Sequence, residues 1–176
     1  MEHINQLIIN KASSLIGMKE KSGNMGFLDK DFEDNMKDIG FDNGDAWCTL
    51  FVELVWKNAY AAYKSYMVTL LDAIFSESAV KTFSNFKLSK EFKNLVTHTP
   101  DPGALVFWQK YNNGLPDWRG HAGIFLQMSG GKMITIEGNT NDGGSRDGDG
   151  VYKKSRDLNY FNDNGLRLLG FVNPKI

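Results

Sequence analysis

The only cysteine of the chain, Cys48, stands where a reactive thiol is expected. It ends the segment Gly44-Asp-Ala-Trp-Cys48, at the start of an apolar stretch that predicts a buried helix over residues 46–63. Asp45 is expected to act as the N-cap of this helix, which places Cys48 in the first turn. Free N–H groups and the helix dipole there stabilise a thiolate, so Cys48 is a candidate nucleophile. A lone cysteine on an apolar helix is also typical of a core residue.

His121 is the candidate base, because a thiol needs an imidazole from another element to take its proton. Of the three histidines, only His121 opens a predicted strand, over residues 121–128, and it is flanked by Gly120 and Gly123. The alternative interpretation is a surface histidine at a strand end. The combination with Cys48 favours the catalytic interpretation.

Glu137 is the candidate orienting group. It ends a predicted strand over residues 132–137, joined to the His121 strand by the turn Ser129-Gly-Gly131. In an antiparallel hairpin the start of one strand lies beside the end of the next, which predicts that Glu137 and His121 are neighbours. A carboxylate there would fix the imidazole tautomer. Asn139 could orient the imidazole instead or donate to a developing oxyanion, and a solvated strand-end glutamate is the plain alternative.

The elements that must position these residues follow a simple order, with helices first and strands second. Helices are predicted over residues 1–16, 30–37 and 46–63, with further helical segments of ambiguous register between 66 and 96. The segment Thr99-Pro-Asp-Pro-Gly103 breaks the pattern. Five short strands are predicted beyond it: 104–109, 121–128, 132–137, 151–156 and 166–172. This order predicts an α+β fold with N-terminal helices packed on a C-terminal antiparallel sheet of about five strands.

Composition excludes several classes of protein. The 176 residues are 41% hydrophobic with a net charge of −1, which gives no reason to expect binding to nucleic acid or an anionic membrane. A single cysteine excludes an internal disulfide framework and a cysteine-rich zinc site. The polar residues within the first helix argue against a signal peptide, and no run approaches the ~20 apolar residues of a membrane span. We therefore expect one domain over residues 1–176, made in the cytoplasm without a signal peptide.

Four segments, in this order, resemble the characteristic blocks of CHAP domains, which belong to the NlpC/P60-like, papain-related cysteine amidohydrolases and peptidases. The segments are Trp47-Cys-Thr-Leu-Phe-Val, Pro102-Gly-Ala-Leu-Val-Phe-Trp, Gly120-His-Ala-Gly-Ile-Phe and Ile136-Glu-Gly-Asn139. The resemblance covers about residues 44–172, with residues 1–43 as an N-terminal helical part. It implies a papain-like fold.

The resemblance also implies an activity. Family members mostly cleave peptidoglycan, at the N-acetylmuramoyl–L-alanine amide or within its peptides, and many are phage lysins or bacterial wall hydrolases. It implies a catalytic set of Cys48, His121 and Glu137, assisted by Asn139. Such a protein would reach the cell wall after holin-type release or dedicated export. The helical segment over residues 61–96 is long for a minimal member and is expected to reshape the substrate groove.

No cofactor and no required metal are expected. Some family members bind calcium through an acidic loop before the cysteine, but Asp42 and Asp45 lack the alternating spacing of such a loop. The Gly-rich segment 141–150 lacks a phosphate-binding motif and is expected to form a rim of the cleft. Trp47, Trp108 and Asp45 are candidate substrate-binding residues, although core positions are the alternative for the tryptophans.

Three functions remain open at this point. The first is a peptidoglycan amidase or endopeptidase using a Cys-His-Glu mechanism. The second keeps the nucleophile but acts on a protein substrate, as a protease or deamidase effector, in which case an immunity or inhibitor protein is an expected partner. The third is a catalytically silent wall-binding module, against which the intact set of Cys48, His121 and Glu137 argues.

Overall fold

A computed structural model describes residues 3–141 and 148–176. The helices in this part of the chain are α1 (Ile4–Ser14), α2 (Lys30–Asp38), α3 (Cys48–Tyr63), α4 (Tyr66–Asp72), α5 (Ala79–Leu88) and a short 3₁₀ helix (Lys93–Leu95). The strands are β1 (Val96–Thr97), β2 (Leu105–Asn112), β3 (Leu115–Ser129), β4 (Lys132–Thr140), β5 (Gly150–Arg156) and β6 (Gly165–Val172). The fold is α+β, as the sequence predicts.

The strands form one antiparallel sheet in the order β1-β6-β2-β3-β4-β5. Successive side chains of β2 alternate between its two faces. Leu105 and Phe107 join the main core beneath the helices, whereas Val106 and Trp108 join a second, smaller cluster. The sheet therefore buries apolar side chains on both faces.

Helix α3 is the centre of the helical layer. Its sequence is apolar nearly all round, and most of its side chains are buried, including the large rings of Phe51, Trp56 and Tyr60. It packs against α1 on one side and against β3 and β4 on the other. Because α3 packs against both α1 and the sheet, its first residue is held at a fixed position relative to β3 and β4.

The sheet has six strands rather than about five. The additional strand, β1, consists of two residues that pair with the edge of β6, and it is too short to give a periodic pattern. The ambiguous region between residues 66 and 96 contains α4 and α5, and α5 begins where the Ser78 hydroxyl accepts a hydrogen bond from the Lys81 N–H. None of the helices in the described ranges is long and apolar enough to cross a membrane.

Strand β3 begins at Leu115, so His121 lies inside the strand and the prediction that it opens one is wrong. The reason is the turn at Asn113 and Gly114, which have φ of +49° and +76°. Asn-Gly with both residues at positive φ makes a tight hairpin turn that matches the twist of the flanking strands. The strands β2 and β3 therefore continue pairing beyond the hydrophobic segments.

Candidate active site

Cys48 is the first residue of α3. The N-cap is Trp47, whose side chain makes no capping hydrogen bond, so the prediction of Asp45 as N-cap is wrong. Asp45 stands too early in the chain, and its carboxylate instead accepts a hydrogen bond from the Asp42 N–H, at 3.0 Å. The first N–H groups of a helix have no partner within the helix, and Cys48 stands in that first turn.

The structure brings Cys48, His121 and Glu137 together. The Cys48 thiol and the His121 imidazole interact directly, and each shifts the pKa of the other. The imidazole Nε2 donates to Oε2 of Glu137 at 2.8 Å, which leaves Nδ1 for the thiol. The three side chains come from three different elements, in the order that a nucleophile, a base and an orienting carboxylate would require.

The β3–β4 pairing explains the contact between His121 and Glu137. Ile124 lies opposite Ile136, which places Glu137 opposite Gly123 and diagonal to His121 on the same face. A Cβ atom at Gly123 would lie 2.8 Å from the Glu137 Cγ. The absence of a side chain at residue 123 therefore lets the Glu137 side chain cross to the imidazole.

Two further residues hold Glu137, and the sequence analysis identified neither. Arg156 at the end of β5 makes a bidentate pair, with Nε 2.9 Å from Oε1 and Nη2 2.5 Å from Oε2. The Thr135 hydroxyl also donates to Oε1, at 2.6 Å. The strand pattern places Thr135 and Glu137 on one face, but only the β4–β5 pairing brings Arg156 to that carboxylate.

The charges of the site support one another. Burial alone would raise the pKa of Glu137, but the Arg156 and His121 hydrogen bonds hold it well below its usual value. Burial alone would lower the pKa of His121, but hydrogen bonds with Cys48 and Glu137 raise it to about 9. Burial would raise the pKa of the Cys48 thiol, yet His121 lowers it, with help from Thr49 and the Ala122 N–H. The arrangement favours a thiolate–imidazolium pair.

Trp47 and Trp108, the candidate substrate-binding tryptophans, are both buried and neither lines the cavity, so the core alternative applies to each of them. Trp47 is fully buried, and its indole N–H donates to the Glu20 carboxylate at 2.6 Å. Trp108 is buried and stacks on His121, with 5.7 Å between ring centroids. The aromatic surface of Trp47 packs in the core, and that of Trp108 packs against the His121 imidazole.

Asn139 lies at an irregularity of β4. The pairing with β5 shifts register between Glu137 and Thr140, and Asn139 has φ of +52°. Asparagine is among the few residues that tolerate this conformation. The irregularity places Asn139 at the wall of the same cavity as Cys48.

Cys48 and His121 line a cavity of about 330 Å³. Its walls come from the start of α3, from the α4–α5 connection, from the β2–β3 hairpin and from Asn139 and Thr140. Glu77, Ser78 and Ala79 line it, so the helical segment over residues 61–96 contributes to the wall of this cavity. The predicted rim and turn in the segment 141–150 fall mostly on residues 142–147, outside the described residues.

Within residues 3–141 and 148–176, no group of three or more His, Cys, Asp or Glu side chains is placed to hold a metal ion. Asp42 and Asp45 are joined by a hydrogen bond of their own turn. The expectation that the site needs no metal stays a prediction.

Comparison with protein families gives one match. The model of the CHAP domain matches residues 40–139, more than half of the 176-residue chain. The matched range contains all four segments on which the sequence resemblance rests, from Trp47 to Asn139. Comparisons with curated proteins and with solved structures gave no match.

Proposed function

The chain belongs to the CHAP domain family, which implies a peptidoglycan hydrolase of the amidase or peptidase kind, and we propose that Cys48 performs this hydrolysis as a nucleophile. The observation that carries the proposal is the series of Cys48, His121 and Glu137 at an open cavity, in which His121 interacts with the thiol and is hydrogen-bonded to the carboxylate. Each group has the partner that its role requires.

The reaction begins with attack of the Cys48 thiolate on the carbonyl carbon of a substrate amide, which forms a C–S bond and a tetrahedral oxyanion. The His121 imidazolium gives its proton to the leaving nitrogen as the C–N bond breaks, which releases an amine and leaves an acyl-thioester. Neutral His121 then takes a proton from water as the oxygen attacks the thioester. The C–S bond breaks, the carboxylic acid leaves, and the thiolate–imidazolium pair is restored.

The oxyanion needs N–H donors close to the sulfur. Two candidates belong to residues that line the cavity: the backbone N–H of Cys48, in the first turn of α3, and the side-chain amide of Asn139. Glu137, whose oxygens already accept from Thr135, Arg156 and His121, is the orienting group. The two roles assigned to Glu137 and Asn139 are thus chemically distinct.

Digestion of purified sacculi, followed by mass spectrometry of the released fragments, tests the proposed function. New amino groups on L-alanine indicate an amidase, and new peptide termini elsewhere indicate an endopeptidase. Cys48→Ala and His121→Ala should abolish fragment release, and Glu137→Gln should lower kcat strongly with little change in KM. Asn139→Ala should cost about 10²- to 10³-fold in kcat if it donates to the oxyanion.

Two results would contradict the proposal. Fragment release by Cys48→Ala at the wild-type rate would exclude Cys48 as the nucleophile. A folded wild-type protein that releases nothing from sacculi but cleaves or deamidates a protein would assign the site to a protein substrate instead.

A further inference from the structure

The β2–β3 hairpin contains a large bulge beside the active-site cavity. Between the pairs Gln109↔Gly120 and Tyr111↔Pro116, β2 advances by two residues while β3 advances by four. The extra length of β3 falls on residues 117–119. Bulges next to active sites commonly redirect a side chain.

The bulge is held by a dense set of hydrogen bonds around Asp117. Its carboxylate accepts from the backbone N–H and the guanidinium of Arg119 and from the Asn112 amide, and its carbonyl accepts from the Gln109 amide. The ion pair with Arg119 holds the pKa of Asp117 well below its usual value. Such bonding gives the bulge one defined conformation.

The residue that this bulge presents is Trp118. Its side chain is 78% exposed and lines the cavity that contains Cys48 and His121. A tryptophan held outside the core contributes little to folding, because its apolar surface stays in water. An exposed indole beside a candidate nucleophile, on a backbone segment that is held by hydrogen bonds, is instead suited to binding, since the ring offers a large apolar surface with few rotatable bonds.

The cavity is also lined by a cation that has no charged partner among the described residues. Of its lining residues, Arg119 pairs with Asp117 and Arg156 pairs with Glu137. Lys110, opposite the bulge on β2, has no ion pair within the described part of the chain. The lining residue Glu77, on the α4–α5 connection, likewise has none there. The two free charges therefore come from different walls, and the β2–β3 wall is the positive one.

We propose that Trp118 and Lys110 form a substrate subsite for a carboxylate-bearing peptide segment next to the scissile amide. The indole packs against the aliphatic part of that segment, and the Lys110 ammonium binds its carboxylate. If the substrate bound in the opposite orientation, its carboxylate would lie near the Glu77 carboxylate. Repulsion between the two negative charges disfavours that orientation. This subsite rests on the proposed function and adds to it the part of peptidoglycan that is recognised, the acidic peptide rather than the glycan.

Steady-state kinetics on soluble sacculus fragments tests the subsite, with fragments used before and after conversion of their free carboxylates to carboxamides. For the wild-type protein, amidation should raise KM about tenfold. Lys110→Gln should show the raised KM with both substrates. Trp118→Ala should raise KM about tenfold for both substrates and should keep the difference in KM between them. Its kcat should change less than twofold, because the lost contacts bind the substrate and the transition state equally.

Two control variants lie outside the cavity wall. Lys153→Gln removes an exposed lysine of β5, and Phe161→Ala removes an aromatic side chain that is 88% exposed. Both should match the wild type. The subsite is wrong if Lys110→Gln still distinguishes the two substrates as the wild type does, or if Trp118→Ala leaves KM unchanged. Those results leave sacculus cleavage intact, whereas failure of the wild type to cleave sacculi overturns the proposed function and the subsite with it.

Discussion

At the scale of single residues, the carboxylate of Glu137 accepts hydrogen bonds from three side chains of the site. It accepts from Thr135, twice from Arg156 and once from His121 while being fully buried. A buried carboxylate with this many donors stays ionised and in one orientation. It can therefore fix the His121 ring and stabilise its positive charge.

The titration of His121 and Cys48 predicts the pH dependence of hydrolysis. The thiolate forms as pH rises through the lowered pKa of Cys48, and the imidazolium that protonates the leaving amine is lost as pH rises through about 9. The pH profile of kcat/KM should be bell-shaped, with its alkaline limb near pH 9 and its acid limb below the usual range of a thiol, ~8.5. A single rise near the usual thiol pKa would show that the pair does not form.

Arg156 is predicted to act as a positioning residue through Glu137. Without the bidentate pair, burial raises the pKa of Glu137, so the carboxylate becomes protonated at a higher pH. Arg156→Gln should lower kcat/KM about tenfold and move the acid limb of the pH profile to higher pH. Arg156→Lys should recover part of the loss, since it keeps the charge but not the bidentate geometry.

Arg167→Gln is the matched control for this prediction. Arg167 also pairs with a carboxylate, that of Asp163, but on β6 and away from Glu137. Its loss should leave the pH profile unchanged. An unshifted acid limb in folded Arg156→Gln would limit Arg156 to a structural role.

At the scale of elements, two glycines of the β3–β4 hairpin keep the site assembled in different ways. A Cβ atom at Gly123 would press on Glu137, at 2.8 Å from Cγ, and one at Gly138 would lie 2.6 Å from ring atoms of Phe51 and Trp47. The first neighbour is a functional side chain and the second is the buried core at the start of α3. Their substitutions should separate activity from stability.

Gly123→Ala should lower kcat about ten- to a hundredfold with a small change in Tm, because Glu137 must move away from His121. Gly138→Ala should destabilise the fold by about 1–3 kcal/mol, because the buried rings of Phe51 and Trp47 cannot move aside without repacking. Calorimetry and steady-state kinetics on both variants measure the two effects. A wild-type kcat in Gly123→Ala would show that Glu137 does not need the space that the missing side chain at residue 123 leaves.

The sequence predicted the elements well where their periodicity was strong. Helix α2 was predicted over residues 30–37 and is observed as Lys30–Asp38, and the strand predicted at 132–137 is β4. Helix capping and strand pairing outside the apolar segments have no such periodicity, so they could not be predicted in the same way. Asp45 has the right residue type for an N-cap but is bonded within the preceding turn, and β3 continues to Leu115 because of an Asn-Gly turn.

At the scale of the whole molecule, the site depends on contacts between segments that are far apart in the chain. Hairpin geometry was sufficient to predict the contact of His121 with Glu137, because it is local to β3 and β4. Arg156 and Trp118 were missed, since one reaches the site through β4–β5 pairing and the other through a bulge in β3. Neither relation leaves a periodic signal in the sequence.

The same long-range assembly explains the burial of Trp47 and Trp108. Tryptophans next to candidate catalytic residues are as typical of a groove as of a core, and only the packed fold distinguishes the two. Trp47 packs in the main core with residues of α2 and α3, and Trp108 packs in the smaller cluster on the second face of the sheet. Trp118 lines the cleft instead, from the bulge within β3, where an exposed aromatic side chain is compatible with folding.

The central claim is that Cys48 becomes acylated during hydrolysis of a peptidoglycan amide. Rapid acid quench of wild-type protein mixed with soluble sacculus fragments, followed by intact-protein and peptide mass spectrometry, measures this directly. The account predicts a transient mass increase equal to an acyl fragment, located on the peptide that contains Cys48, released by hydroxylamine and absent from Cys48→Ala. Rapid turnover by Cys48→Ala, or turnover of the wild type with the adduct on another residue, would contradict it.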